Sequence, residues 1–119
     1  DMVGHAGVKY FPPVLHENVR IFRKDLKSLQ TLSCACHEYF RLATGESDFG
    51  IYSKIRPWDH LAGALAVREA GGHVAKWDGA PYGASDEFGG IVVASSTAVW
   101  QSVYNKAIKK MIADFKNQP

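Results

Sequence analysis

Cysteine, net charge and long apolar runs are all scarce in this chain of 119 residues. Its two cysteines, Cys34 and Cys36, are separated by one residue, which argues against a disulfide framework and favours a reducing, cytoplasmic setting. Because 14 basic residues face 12 acidic ones, the formal net charge of +2 does not indicate nucleic acid or a membrane surface as a partner. No apolar run approaches the ~20 residues of a membrane span, and residues 1–9 lack the charged-then-apolar order of a signal peptide.

Length and composition fit one compact soluble domain, with 46% hydrophobic and 22% charged residues. Residues 1–16 contain two glycines and a Pro-Pro pair, and this predicts an irregular, extended lead-in. Residues 17–119 form the predicted domain. Because the chain starts with Asp1 and its first stretch opens no obvious element, we expect a piece of a longer chain.

Helical and strand periodicities alternate along the predicted domain. Apolar residues at helical spacing predict helices, and alternating or continuous apolar residues predict strands. The predicted order is a helix at 17–27, a strand at 28–32, a helix at 36–43, a strand at 48–55, a helix at 58–70, strands at 73–77 and 91–94, and a last helix after residue 97. This alternation predicts an α/β fold, a layered sheet with flanking helices, and it leaves open whether the sheet is parallel or mixed.

The segment PWDHLAGALAVREAGG at residues 57–72 carries the candidate chemistry. Asp59 lies in the first turn of a predicted helix, where the helix dipole stabilises a carboxylate by about 0.3–1 kcal/mol, so one interpretation is that it only caps the helix. The other is that Asp59 points into the crevice at the carboxyl end of a strand, where Mg²⁺ takes carboxylate, water and phosphate oxygens. Gly63 costs about 1 kcal/mol relative to alanine inside a helix, and it predicts a close approach of this helix to the sheet.

The same segment resembles the C-terminal signature of the inositol monophosphatase family, W-D-x-A-A-G followed by E-A-G-G. Here the signature stands as Trp58-Asp59-His60-Leu61-Ala62-Gly63 and Glu69-Ala70-Gly71-Gly72, with Leu61 in place of an alanine. The resemblance covers roughly residues 29–94 and implies the C-terminal α/β half of an inositol monophosphatase-like fold. It also implies a Mg²⁺-dependent phosphatase that hydrolyses inositol monophosphate or a related sugar or polyol phosphate by attack of metal-activated water.

The resemblance further implies roles for individual residues. The W-D aspartate of the family is a metal ligand near the phosphate-bearing hydroxyl, so Asp59 is implied to be catalytic and to bind Mg²⁺. A small-residue substrate segment of the family corresponds to Ser33-Cys34-Ala35, although serine and cysteine depart from the family pattern there. A sugar-contacting glutamate seven residues before the aspartate corresponds to Tyr52, so we expect that contact to be lost or altered.

Other polar residues near the motif allow two interpretations each. Arg56 could meet phosphate or form a solvated strand end, and His60 could touch substrate or face solvent, so both are substrate-binding candidates. Cys34 and Cys36 lack the further ligands of a structural zinc site, and we expect them to be buried in a helix.

The family's other metal ligands, a glutamate and a D-P-x-D-G-T segment, are not found in this sequence. We therefore expect an absent N-terminal half that shares the Mg²⁺ ions with Asp59, and we expect the isolated chain to be inactive. The implied partners are a phosphorylated small-molecule substrate, this N-terminal half and a second copy of the chain in a homodimer. Two alternatives stay open: a related bisphosphatase acting on a nucleotide or fructose phosphate, and a non-catalytic dimerisation or binding module derived from the family.

Overall fold

The computed structural model describes residues 2–86 and 88–117, and Asp1, Glu87, Gln118 and Pro119 lie outside the described residues. The strands are β1 (Val3–Ala6), β2 (Ser28–Gln30), β3 (Phe49–Lys54), β4 (His73–Lys76) and β5 (Phe88–Ala94). The α-helices are α1 (His16–Arg23), α2 (Ala35–Ala43), α3 (Pro57–Glu69), α4 (Thr97–Val103) and α5 (Lys109–Lys116). Helices and strands alternate up to β4, as the sequence predicts. Among these helices, none has the length and apolar character needed to cross a bilayer.

The five strands form one sheet in the order β2-β1-β3-β5-β4. β1 pairs in parallel with β2 and with β3, whereas β5 is antiparallel to both β3 and β4. In this register Gly4 lies opposite Leu29 on one side and Phe49 on the other. The sheet is therefore mixed, a point that the sequence left open.

Residues 1–16 differ most from the sequence prediction. Val3–Ala6 form an interior strand of the sheet, and short 3₁₀ turns at Val8–Tyr10 and Pro13–Leu15 lead from this strand into α1. Gly4 resembles a structure breaker in the sequence, but a Cβ added there would lie 2.2 Å from Cζ of Phe49. Glycine therefore lets a large aromatic ring pack directly on the strand, and the expectation of an irregular lead-in is wrong over β1.

Helices cover both faces of the sheet and produce two cores. The first core lies between the sheet and α1, α4 and α5, and the second lies between the sheet and α2 and α3. The first contains Phe22, Phe49, Val92, Trp100 and Met111, and the second contains Tyr39, Tyr52, Ile55, Val67 and Val93. Because β5 contributes to both cores, its continuous apolar run Ile91–Ala94 is buried on both sides.

A buried polar pair joins β1 to the loop before β3. His5 of β1 is fully buried, and its Nε2 lies 2.7 Å from the hydroxyl oxygen of Ser47. Burial lowers the pKa of His5, because the charged imidazolium is less well solvated inside the protein. His5 is therefore expected to stay neutral in the folded state at neutral pH.

Gly63 brings α3 close to α2. A Cβ added at Gly63 would lie 2.4 Å from Cγ of Tyr39, a residue of α2. The close packing predicted from this helical glycine is present, but its partner is the neighbouring helix and not the sheet. Tyr39 consequently lies directly beside the first half of α3, where the candidate site begins.

The last helical region combines three segments. Ser96 is the N-cap of α4, and its hydroxyl oxygen accepts a hydrogen bond from the Val99 N–H at 3.1 Å. A π-helical segment, Tyr104–Ile108, joins α4 to α5. The indole N–H of Trp100 donates to the carbonyl of Val92 at 3.0 Å, which fixes this region on β5.

The parallel strands β2, β1 and β3 end at the same edge of the sheet. The chain leaves β1 for β2 through α1, then passes back across β1 to β3 through α2. Because these crossovers run in opposite directions, α1 and α2 pack on opposite faces of the sheet, in separate cores. Open α/β sheets bind ligands in the crevice at such a switch point, outside the carboxyl ends of the strands. The loops after β1, β2 and β3 therefore frame the candidate site.

Candidate functional site

A cleft of about 450 Å³ opens at the carboxyl ends of the three parallel strands. Its lining residues come from the loops after β1 and β2, from the first turns of α2 and α3, and from β3 itself. The predicted site residues Ser33, Cys34, Ala35, Tyr52, Asp59 and His60 all line it, and Arg56 does not. The volume is in the range of small-molecule sites, about 300–1,000 Å³.

Asp59 presents an exposed carboxylate to this cleft. It is the third residue of α3, and its backbone N–H donates to the carbonyl of Arg56, the N-cap residue, at 3.0 Å. Within the described residues, no side chain caps the N-terminus of α3 by a hydrogen bond. The exposed carboxylate lies in the first turn of α3, at the positive end of the helix dipole, as the capping interpretation expects, and it is also open to a cation.

The first turns of α2 and α3 both line the cleft. Cys34 is the N-cap of α2 and Arg56 is the N-cap of α3, and neither makes a capping hydrogen bond through its side chain. The first backbone N–H groups of α2 have no intrahelical acceptor, whereas α3 begins with Pro57, which has no N–H, and the Asp59 N–H already donates to Arg56. The first turns of both helices therefore place the positive ends of their dipoles at the cleft, and α2 adds free N–H groups, an arrangement that favours an anion such as phosphate.

Glu38 is a second carboxylate of the cleft, and the sequence analysis did not identify it as a site residue. Its side chain is only 3% exposed and accepts hydrogen bonds from the hydroxyl of Tyr52 (2.8 Å), the N–H of Leu32 (2.8 Å) and the hydroxyl of Thr31 (3.3 Å). Burial raises the pKa of Tyr52 well above that of an ordinary phenol, and the neighbouring Glu38 charge adds to the shift. The carboxylate therefore ties the loop after β2 to β3 across the floor of the cleft.

His60 lies on the floor of the cleft, and the expectation that it could face solvent is wrong. The residue is 6% exposed, and its Nδ1 lies 2.8 Å from the hydroxyl of Tyr39. Burial lowers the pKa of His60 and raises the pKa of Tyr39. The phenol keeps its proton, so it can donate to Nδ1, and the backbone of Lys54 offers the same imidazole ring a second hydrogen bond. The ring of Tyr52 packs against the imidazole with a centroid distance of 4.8 Å.

The loop after β2 presents small side chains to the cleft. Ser33 has φ of +56°, the left-handed region, and its N–H donates to the hydroxyl oxygen of Thr31 at 3.0 Å. Cys34 and Cys36 are both exposed, so the expectation that they are buried in a helix is wrong. The buried side of α2 carries Glu38, Tyr39 and Leu42, which turns Cys36 and Phe40 outward.

Arg56 lies beside the cleft and not in its lining. Its guanidinium is 5.6 Å from the ring centroid of Trp58, and both side chains are exposed. A cation is attracted to the face of an indole ring, but the interaction is weak where both groups are exposed to water. Arg56 is thus a solvated strand end in this structure, close enough to the start of α3 for its predicted contact with phosphate to remain a testable idea.

The donors of the cleft fit part of a Mg²⁺ site. Within residues 2–86 and 88–117, no group of three or more His, Cys, Asp or Glu side chains could hold a metal ion. Glu38 is committed to three donors, so Asp59 is the lining carboxylate that is open to a hard cation. One carboxylate fits Mg²⁺ as a single ligand, and the remaining ligands have to come from elsewhere.

Sequence comparisons show that this chain is similar to known phosphatases. A family model described as the inositol monophosphatase family matches residues 9–115. A curated relative from Aquifex aeolicus (strain VF5), a fructose-1,6-bisphosphatase/inositol-1-monophosphatase, is 30% identical over 119 aligned residues. The alignment covers 93% of this chain and 43% of the relative, so the chain spans less than half of that protein's length.

Structural comparisons give the same partial match. The staphylococcal SaIMPase-II with bound inositol monophosphate matches with a TM-score of 0.84 and 20% identity, over 97% of this chain and 44% of that chain. An IMPase from Thermotoga maritima matches with a TM-score of 0.79 and 21% identity, over 96% of this chain and 42% of that chain. These identities are low, so the likeness shows a shared α/β fold, as the resemblance implied.

Proposed function

The chain belongs to the inositol monophosphatase family, and from that premise we propose that it is the C-terminal part of a Mg²⁺-dependent phosphomonoesterase. The proposed substrate is inositol monophosphate or a related sugar or polyol phosphate. The observation that carries the proposal is Asp59, an exposed carboxylate at the start of α3 in a cleft formed at the ends of three parallel strands. Family membership supports the phosphatase class, and the cleft supports a phosphorylated small molecule as the ligand.

The chain's own residues would bind and orient the substrate. Asp59 would hold one Mg²⁺, and an N-terminal half of the same protein would supply the other ligands. Bound Mg²⁺ would supply an activated water and neutralise charge on the leaving oxygen. The free N–H groups at the start of α2 and the positive end of α3 would orient the phosphate, and the imidazole of His60 would contact the substrate from the floor of the cleft.

Substrate recognition is proposed to differ from that of family members with a glutamate at the position of Tyr52. The Tyr52 hydroxyl already donates to Glu38, so it can only accept a further hydrogen bond, from a substrate hydroxyl. Ser33, Cys34 and Ala35 would leave room for the substrate beside the start of α2, because their side chains are small.

We also propose the assembly and the setting of the protein. The partners are the phosphorylated substrate, the N-terminal half and a second copy in a homodimer, in the cytoplasm. Three apolar side chains on α2 and α3, Phe40, Trp58 and Leu65, are 66%, 70% and 55% exposed, which supports a covered surface on this layer in the whole protein.

Phosphate release by the full-length protein with Mg²⁺ tests the proposal, with Asp59→Asn as the variant and Asp25→Asn as its matched control. Asp25 is an exposed aspartate in the turn after α1. We expect Asp59→Asn to lower turnover by about a hundredfold or more, since losing even an indirect metal contact costs about 10- to 100-fold. Its free energy of unfolding should change by less than about 1 kcal/mol, because the side chain is exposed and the helix dipole contributes only about 0.3–1 kcal/mol there.

Two outcomes would count against this function. Turnover within about twofold of wild type in Asp59→Asn would remove Asp59 from the site. No hydrolysis by the wild-type full-length protein of inositol, sugar or nucleotide phosphates would favour the non-catalytic binding module instead.

A further inference from the structure

The helices on one side of the sheet carry most of the positive charge of the chain. Residues 16–27 and 97–117, which contain α1, α4 and α5, hold eight of the 14 lysines and arginines but only three of the 12 aspartates and glutamates. These two stretches therefore have a formal charge of +5, and the rest of the chain, with six basic and nine acidic residues, has −3. The small net charge of +2 thus conceals a strong asymmetry between the two sides of the sheet.

Ion pairs neutralise little of this charge. All eight cations are exposed, and in the part of the chain that the structure describes two of them form ion pairs, Arg20 with Glu17 and Lys110 with Asp114. The other six cations define a surface that we call the basic face: Arg23, Lys24, Lys27, Lys106, Lys109 and Lys116. Like charges on one surface repel each other, and a polyanion that binds there relieves the repulsion.

The two parts of the basic face are neighbours in the fold. α1 and α5 pack on the same side of the sheet, and the side-chain amide of Asn18 donates to the carboxylate of Asp114 at 2.7 Å, which holds the two helices together. Ile21 lies one turn after Asn18, and Phe115 follows Asp114. These two apolar side chains are 49% and 43% exposed, so the basic face also presents apolar groups to its surroundings.

An apolar groove of about 470 Å³ lies beside the basic face. Met111, Ile112, Phe115 and Lys116 of α5 line one side of it, and Trp77 lines the other. Asp114 contacts α1, and Ile112 lies about 160° from it around the helix axis, so the groove is on the flank of α5 that is turned away from α1. α5 therefore has cations along its outer side and an apolar groove along one flank.

We propose that the basic face binds the surface of a bilayer that contains anionic phospholipids. The cations attract the headgroups, Ile21 and Phe115 enter the boundary between headgroups and acyl chains, and the groove gives room for an apolar chain. A bilayer offers negative charge and an apolar layer together, whereas a nucleic acid offers charge and stacking bases but no apolar layer for an aliphatic side chain. The cleft remains accessible in this complex, because it lies at the edge of the sheet beside α2 and α3.

Vesicle binding tests the role of the charges. The full-length protein is sedimented with vesicles of phosphatidylcholine alone, or with about 30% phosphatidylserine, and we expect binding only to the anionic vesicles, weakened in about 0.5 M salt. Lys106→Gln/Lys109→Gln should lower the partition coefficient about 25-fold, since each cation near an anionic surface contributes roughly fivefold. The matched control Lys9→Gln/Lys54→Gln removes the same charge from exposed positions near the cleft and should bind like wild type.

A second pair of variants tests the apolar part without changing the charge. Ile21→Ser/Phe115→Ser should lower the partition coefficient about tenfold, because the two side chains no longer enter the apolar layer. Ile21→Leu/Phe115→Leu keeps both positions apolar and should retain most of the binding. Circular dichroism checks that all variants keep the wild-type helix content. Equal binding by the serine and leucine variants would overturn insertion into the bilayer.

Three further outcomes decide the proposal. Failure of the wild-type full-length protein to bind anionic vesicles at low salt overturns it, and so does an equal loss of binding in the lysine control. Tighter binding to single-stranded RNA than to anionic vesicles, unaffected by the serine substitutions, would also overturn it and identify a nucleic acid as the partner. Asp59→Asn should bind vesicles like wild type, so the membrane inference can hold even where the phosphatase function fails, and fail where that function holds.

Discussion

Glu38→Gln and Tyr52→Phe test whether a buried carboxylate holds the floor of the cleft together. Glu38 is 3% exposed and accepts three hydrogen bonds, from Tyr52, Leu32 and Thr31. A hydrogen bond to a charged group contributes about 1.5–3 kcal/mol, and an amide nitrogen in place of one oxygen would face a donor. We expect Glu38→Gln to lower the free energy of unfolding by about 2–3 kcal/mol.

A double-mutant cycle separates the Tyr52 contact from the other two. Tyr52→Phe deletes only a hydroxyl, which lies 2.8 Å from the carboxylate, and should cost about 1.5–3 kcal/mol. Because both variants lose the same hydrogen bond, the double variant should cost less than the sum of the two by about 1–2 kcal/mol.

Urea unfolding followed by circular dichroism measures all four proteins. Glu38→Ala is unsuitable for the cycle, because it would also open a cavity. The combined loss would be a large part of a total free energy of unfolding of about 5–15 kcal/mol. Additive effects of Glu38→Gln and Tyr52→Phe, within about 0.5 kcal/mol, would refute the view that this contact is a charge-assisted hydrogen bond.

Two further predictions concern packing and pH. Gly63→Ala would place a methyl group against the ring of Tyr39 and should lower the free energy of unfolding in urea by about 1–3 kcal/mol. The control Ala62→Ser, on the exposed side of α3, should change that free energy by less than about 0.5 kcal/mol. An unchanged free energy of unfolding in Gly63→Ala would show that α2 and α3 separate freely. Burial lowers the pKa of His5 and of His60 in the folded state. Between this lowered pKa and the ordinary histidine pKa, the unfolded state binds more protons than the folded state. The free energy of unfolding should therefore fall as the pH drops from about 7 to about 5. His60→Asn should reduce that slope in unfolding titrations across this range, and an unchanged slope would exclude His60 as a source of it.

The sequence predicted the family and most of the elements because both depend on local patterns. The signature around Asp59 is contiguous, and its helix and the strand before it have clear periodicities, so α3 and β3 lie where they were expected. Periodicity did not predict β1, since it is four residues long and contains Gly4, and its stability comes from two neighbours remote in sequence.

The candidate site could be predicted only where a motif marks it. Ser33, Cys34 and Ala35 came from the resemblance, and their place in the cleft follows from the parallel end of β2. Glu38 could not be found in this way, because a single acidic residue in an amphipathic helix is usually solvated. Its burial depends on how α2 is rotated about its own axis, and packing against β3 and α3 sets that rotation. The same rotation leaves the two cysteines exposed.

The position of β1 inside the sheet couples the cleft to the folding of the whole domain. Gly4 pairs with Leu29 and Phe49, and the N–H of Asp48 donates a hydrogen bond to the carbonyl of Val3 at 2.8 Å. The strand therefore joins segments that are far apart in the sequence. The edge that holds the cleft therefore exists only after these distant segments have met, and no local fragment can preform it. A ligand that binds there stabilises the native state as a whole, by about 2.7 kcal/mol at a hundred times its Kd. Melting temperature thus becomes a direct readout of occupancy, even for compounds that the protein does not hydrolyse.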